Sequence, residues 1–157
     1  ALKVAADRFP NGHIGVMATP VTLREEKFDI LLHRFDEDCT ITKIPAPGLV
    51  QLIEAGKAET LETEALLSRL LTPYVGQLDA LVLGCTHYPF AATAISRLLG
   101  QHTLLLDGGE GTARETKRRL EHAGLLNDGI GEVLIENSLH QPQILKLCME
   151  LLDAPTQ

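Results

Sequence analysis

Leu78-Asp79-Ala80-Leu81-Val82-Leu83-Gly84 is apolar at successive rather than alternate positions after Asp79, and it runs directly into Cys85-Thr86-His87-Tyr88-Pro89. A strand with one wet face alternates, whereas a strand covered on both faces does not, so 78–84 predicts a buried strand of a parallel sheet. Residues 85–89 are its exit loop, and a helix follows to Leu99 with Gly100 as its stop. Thr103-Leu104-Leu105-Leu106-Asp107 repeats the buried-strand pattern.

Working upstream, Cys39-Thr40-Ile41-Thr42-Lys43-Ile44 alternates and is rich in β-branched residues, which predicts a strand. Pro45-Ala46-Pro47 is extended, with Pro47 as the first residue of a helix that turns Leu49, Val50 and Ile53 inward and ends at Gly56. Residues 60–74 form a longer amphipathic helix with Leu61, Ala65, Leu66, Leu70 and Leu71 on its apolar side. His13-Ile14-Gly15-Val16-Met17-Ala18 is a short apolar strand. Thr22 and Glu25 then make a capping box for a helix carrying Leu23, Phe28, Ile30, Leu31 and Phe35 to about residue 34. Residues 2–9 read as a helix with Leu2, Ala5, Ala6 and Phe9 inward, stopped by Pro10-Asn11-Gly12 and lacking a cap ahead of it. Downstream, the Gly-rich loop Gly108-Gly109-Glu110-Gly111 leads to a second capping box, Thr112 with Glu115, and a helix ending at Gly124. Glu132-Val133-Leu134-Ile135 predicts a last strand and 142–152 a last helix. Strands alternate with helices throughout, so the fold class is α/β, an open, mainly parallel sheet flanked by helices.

The 157 residues suffice for one ordinary domain with a real core, and the composition is globular: 45% hydrophobic and 22% charged. No apolar run approaches the ~20 residues of a membrane-spanning helix. Fourteen Lys and Arg against 21 Asp and Glu argue against nucleic-acid backbones as partners. Three widely spaced cysteines without a CxxC motif exclude a disulfide framework and a zinc knuckle, and fit a reduced, cytoplasmic compartment.

Ligands of such sheets bind outside the carboxyl ends of the strands. Four loops leave those ends, at 19–22, 44–47, 85–89 and 107–112, and the third carries the chemistry. Cys85, Thr86 and His87 place a thiol, a hydroxyl and an imidazole immediately after a buried strand. The following helix N-terminus favours a thiolate at Cys85, and His87 can return to the same space to hold or donate a proton. Thr86 and free backbone N–H groups suit a carboxylate, and Gly84 admits a substrate close to the backbone. Cys39 and Cys148 read as small hydrophobes. His13, His33, His102, His122 and His140 read as surface or rim residues. By spacing alone Glu54 is a solvated carboxylate at a helix end. Asp107 is a cap, a cation ligand or an acid in the crevice, and the Gly-rich loop after it is a weak phosphate-cradle signal without GxGxxG or GxxxxGK[ST] spacing.

Leu83-Gly84-Cys85-Thr86-His87-Tyr88-Pro89 resembles the second-cysteine motif of the glutamate racemase family, within the aspartate/glutamate racemase superfamily. Ile14-Gly15-Val16-Met17-Ala18-Thr19-Pro20-Val21-Thr22 resembles that family's first strand of this half and its Ala-Thr-x-x-Thr loop. Leu49-Val50 with Ile53-Glu54 and Gly56 resembles its Leu-Val-x-x-Ile-Glu-x-Gly helix, and Leu106-Asp107 with Ala113 the strand that re-enters the other domain. The likeness is strongest over about 12–120.

This resemblance implies a flavodoxin- or Rossmann-like racemase domain in an enzyme without cofactor, metal or pyridoxal. Such an enzyme interconverts L- and D-glutamate for peptidoglycan. One cysteine removes the α-proton as thiolate while the other, as thiol, returns one on the opposite face. Cys85 is then the second cysteine, His87 assists it, Thr86 holds substrate, Glu54 supports the site near His87, and Thr19 and Thr22 line the crevice. The family's Asp-Ser-Gly loop and the Cys-Asn-Thr motif of its other cysteine do not occur, and Ala46 stands where another cysteine is frequent. The chain is therefore expected to be the C-terminal portion of such an enzyme: 12–100 a complete domain, 1–11 and 101–157 parts of an incomplete one, inactive alone. Its expected partners are glutamate, the missing N-terminal half and a second copy in a homodimer, with no membrane or nucleic acid. Two other classes remain open: a non-catalytic anion- or phosphate-binding module using 107–112, and a thiol hydrolase using Cys85 and His87. A metal site of Cys85, His87 and Asp107 matches no standard zinc spacing.

Overall fold

The computed structural model describes residues 1–35, 38–139 and 141–153. Among these residues four strands form one parallel sheet: β1 (His13–Ala18), β2 (Thr40–Pro45), β3 (Ala80–Leu83) and β4 (Leu104–Leu106), in the order β2-β1-β3-β4. The chain leaves β1 to one side for β2 and returns to the other side for β3. The gap between the carboxyl ends of β1 and β3 is thus the switch point where ligands of such sheets bind.

Side-chain alternation divides the core into two layers. Met17, Ile44, Leu81, Leu83 and Leu105 face α3 (Leu49–Glu54), α4 (Leu61–Leu71) and α5 (Ala92–Leu99). Ile14, Val16, Ile41, Ala80 and Val82 face α1 (Leu2–Arg8) and α2 (Glu26–His33). Coverage of both faces is why 80–83 carries no polar residue. Asp79, the one polar residue before it, ties the start of β1 to that of β3, because its Oδ2 accepts a hydrogen bond from the His13 backbone N–H at 2.8 Å. Arg97 of α5 bonds Glu64 of α4 and the nearby Glu59 at 2.8 Å each, an exposed clamp over the better-buried contact of Leu67, Leu71 and Ile95.

Among the described residues, 1–108 form one compact unit and 109–153 another. In the second, α6 (Gly109–His122) and α7 (Pro142–Leu152) bury no residue fully. On α6 Glu115 bonds both Arg118 and Arg119, whose guanidinium groups lower its carboxyl to about 2.

Several expectations are corrected. Residues 132–135 form no strand: Ile130, Val133 and Leu134 are exposed and no ladder reaches them, and a strand without a partner has no ladder to join. Thr22 does not cap a helix to residue 34. It opens a short 3-10 turn, Thr22–Arg24, and α2 starts only at Glu26 without a side-chain cap. Thr19 closes the turn after β1 instead, its Oγ1 accepting the Thr22 N–H at 3.2 Å. Thr112 likewise lies inside α6, which begins at Gly109, so Glu115 is drawn to the arginines, and Gly109 and Gly111 lie in a helical turn instead of a loop. Pro47 is not the first residue of a helix: α3 begins at Leu49, preceded by Gly48 at φ 86°. Two helices are rotated from their expected phase. On α2, Leu32 is buried while Ile30 and Leu31 are exposed; on α4, Thr63 and Leu67 are buried while Ala65 is exposed and Leu61 is 82% exposed. The Thr63 hydroxyl donates to the Lys57 carbonyl at 2.7 Å, so a polar residue takes the inward place. No helix among the described residues is long and apolar enough to cross a membrane.

Candidate active site

Cys85 follows β3 at the switch point, half-buried and packed against the α3–α5 core layer. Gly84 lies against the end of β1: its N–H donates to the Met17 carbonyl at 2.7 Å, and a Cβ there would stand 3.1 Å from that oxygen and 3.2 Å from Ala18 Cβ. The thiol loop is therefore held closely against β1, and a side chain at Gly84 would crowd the end of that strand. Residues 85–88 then turn, closed by the Tyr88 N–H on the Cys85 carbonyl at 3.1 Å, and a 3-10 segment, Tyr88–Ala91, precedes α5. Because α5 starts only at Ala92, the helix terminus expected beside Cys85 is replaced by this 3-10 turn.

The turn brings His87 back over the thiol. Cys85 Sγ stands 3.8 Å from His87 Nδ1, and His87 Nε2 stands 3.0 Å from Glu54 Oε1 at the end of α3. A carboxylate only accepts, so Nε2 carries the proton that it donates to Glu54, and Nδ1 faces the thiol. In the neutral ring Nδ1 accepts the thiol proton; in the cation it donates to the thiolate. The Glu54 side chain is 61% exposed, so this pair orients the ring more than it stabilises the fold. Carboxylate, imidazole and thiol in line can take up, hold and return one proton at Sγ.

Of the other expected site residues, Thr86 is exposed beside Cys85. Thr19 and Thr22 are half-buried at the end of β1, with Oγ1 atoms 2.9 Å apart, bonding each other rather than Cys85, His87 or Glu54. Cys39 is buried with Sγ 3.6 Å from the Phe35 carbonyl, and Cys148 is half-buried on α7. His13 is more than a rim residue, since its Nε2 lies 2.7 Å from Thr42 Oγ1. His33, His102 and His122 are exposed; His140 lies outside the described residues. Among the described residues no three His, Cys, Asp or Glu side chains gather as metal ligands, and Asp107 is half-buried ahead of α6. On the far face of the sheet, Asp29, Leu32, His33, Ile41 and Lys43 line a cavity of about 340 Å³ crossed by the Lys43–Asp29 ion pair.

Tyr88 has a place that spacing does not disclose. It is wholly buried, and its hydroxyl donates to the Ala46 carbonyl at 3.2 Å. An aromatic hydroxyl in an apolar run signals a buried partner, but not which one. Burial first, and the charge of Cys85 second, push the Tyr88 phenol up to about 12 from 10.0. A raised value means the fold favours the neutral phenol, so this contribution is complete below pH 10 and is lost as pH rises through about 12. Urea midpoints of the native chain should fall across that window more steeply than those of Tyr88→Phe; parallel curves would contradict the assignment.

No protein-family model matches the chain. A curated glutamate racemase from Clostridium kluyveri is 44% identical over 155 residues, covering 97% of this chain and 60% of that protein. The chain is homologous to the glutamate racemases. It spans about 60% of the length of the curated racemases it matches from Clostridium kluyveri and Clostridium perfringens. Escherichia coli glutamate racemase, solved with L-glutamate and the activator UDP-MurNAc-ala, superposes with a TM-score of 0.70 at 34% identity, over 78% of this chain and 47% of that one. The Francisella tularensis glutamate racemase, solved with D-glutamate, shares the fold over 99% of this chain and 60% of its own, with a TM-score of 0.76 at 20% identity. The parallel sheet with its flanking helices is thus part of the glutamate racemase fold.

Proposed function

We propose that this chain is part of a cofactor-independent glutamate racemase, acting in the cytoplasm for peptidoglycan synthesis, and that Cys85 is one of its two acid/base thiols. The domain around Cys85 is wider than the expected 12–100, since α1 and β4 pack and pair with its sheet in the compact unit 1–108, and the chain after that unit joins the remainder of the enzyme. That remainder supplies the opposing thiol. In one direction the Cys85 thiolate takes the α-proton of glutamate, breaking Cα–H and forming S–H, and the opposing thiol gives its proton to the other face of Cα. In the reverse direction the two exchange roles. His87 moves the proton at Sγ, Glu54 keeps the His87 ring aligned, and Thr86 with the Thr19–Thr22 turn receives the substrate at the switch point.

The observation that carries this reading is the Glu54–His87–Cys85 line at the carboxyl end of β3, in a chain 44% identical to a glutamate racemase. The assay is α-proton exchange of L- and D-glutamate in heavy water, followed by NMR. The 157-residue chain alone should show exchange no faster than buffer, and the chain joined to the rest of a racemase should exchange both enantiomers. Racemisation of either enantiomer by the isolated chain at an enzyme's rate would refute the need for a second thiol.

The same geometry suits a thiol hydrolase, with Cys85 as nucleophile and His87 as base. An acyl adduct on Cys85 after incubation with an activated ester, without proton exchange in the joined protein, would favour that reading.

A further inference from the structure

Glu54 and His87 meet across a gap that strand pairing does not span. The chain reaches α3 and Glu54 from β2, and His87 from β3, while β1 lies between those two strands. The end of β1 holds both loops: Ala18 accepts the Ala46 N–H at 3.0 Å, and Met17 accepts the Gly84 N–H at 2.7 Å. Those bonds fix the roots of the loops. One bond ties the loops directly, that from the Tyr88 hydroxyl to the Ala46 carbonyl at 3.2 Å. It closes a ring of contacts that runs from His87 to Tyr88, across to Ala46, along α3 to Glu54 and back to His87 Nε2.

Resting on the reading of Cys85, His87 and Glu54 as a proton-transfer site, we infer that Tyr88 is a positioning residue, whose hydroxyl holds α3 at the distance that keeps Glu54 on His87. Tyr88 touches no reacting atom in this role. Its ring fills the core layer beneath the loop, and its hydroxyl sets the register of the two loops above it. Phenylalanine would keep the ring and its packing while removing only the donor, leaving α3 free to shift relative to His87. The phenol stays protonated throughout the range in which a thiol works, so the tie persists in both protonation states of Cys85.

The readout is the rate of iodoacetamide alkylation of Cys85 in the full chain, resolved peptide by peptide by mass spectrometry, because alkylation follows the thiolate. Near neutral pH, Glu54→Gln should slow Cys85 by about threefold to tenfold, and Tyr88→Phe by a comparable factor, with Cys148 unchanged in both. Since Tyr88 acts through Glu54, adding Tyr88→Phe to Glu54→Gln should slow Cys85 no further. Ile95→Val, which takes one methyl group from the same core layer, should lower the melting temperature and leave the rate alone. A Tyr88→Phe rate equal to that of the native chain, while Glu54→Gln is slow, overturns this inference and spares the site reading. No response to Glu54→Gln overturns the site reading and this inference together. An equal slowing by Ile95→Val overturns the positioning role. If Tyr88→Phe does not fold, fluorotyrosine incorporated at 88 in a Tyr74→Phe background replaces it. The Cys85 rate then changes with donor strength if the inference holds, and stays constant if it does not.

Discussion

Exchanging Cys85 for serine in the joined racemase is expected to reduce turnover of L- and D-glutamate by about 10²–10⁴-fold, equally in both directions. On the proposed two-thiol chemistry, Cys85 is the base for one enantiomer and the acid for the other, so its loss removes one partner from each direction. Serine preserves the shape of the side chain but offers a hydroxyl far too weakly acidic to be held as an anion. His87 and Glu54 would remain in line, so the chemistry at Sγ is lost while the pocket stays. The measurement is circular dichroism of glutamate during racemisation, begun from each enantiomer in turn. Full activity in both directions would remove it from the mechanism.

How much of this was legible in the residues depends on how far apart the partners lie along the chain. The β1 and β3 strands read correctly because burial on both faces imposes a local pattern of apolar residues, visible without knowing the neighbours. The bounds of α7, Pro142–Leu152, read correctly because proline at its start and the apolar period are local as well. The capping boxes misled because Ser/Thr-x-x-Glu spacing is short and degenerate, and Thr19 Oγ1 and the arginines of α6 offered closer partners. Residues 132–135 have a strand's composition, but a strand is completed by a partner that composition does not name.

The site divides in the same way. Cys85, Thr86 and His87 are consecutive, so their chemistry could be read from the chain. Glu54 meets His87 from 33 positions away and Ala46 meets Tyr88 from 42, and spacing carries no trace of either contact. Glu54 entered through the resemblance to the racemases, because by itself it looks like a solvated carboxylate at a helix end. Tyr88 had no assigned role, because its hydroxyl points at a backbone carbonyl, which has no sequence signature.

Beneath the site, Leu81→Ala is expected to lower the free energy of unfolding by about 2–5 kcal/mol, a large share of the roughly 5–15 kcal/mol typical of a domain. Leu81 is fully buried at the centre of the sheet, in the same core layer as Met17, Ile44 and Leu78. It also occupies the space that Gly15 leaves open on the neighbouring strand. A Cβ on Gly15 would stand 2.9 Å from Leu81 Cδ1, 2.8 Å from Leu78 Cδ1 and 3.1 Å from Ile44 Cδ1. Gly15→Ala alone therefore overpacks the layer and should cost about 1–3 kcal/mol. The two changes are opposite in volume and meet at one point, so they should not add. With Leu81 shortened, the new methyl at 15 enters the vacated space, and the remaining contacts are the flexible ends of Leu78 and Ile44. The double variant should therefore be more stable than the sum of the singles predicts, by about 1 kcal/mol. Urea unfolding of the four proteins at equal slope measures this directly. Strict additivity would show that the missing side chain at Gly15 serves something other than Leu81, and that β1 and β3 are set side by side by their backbones alone.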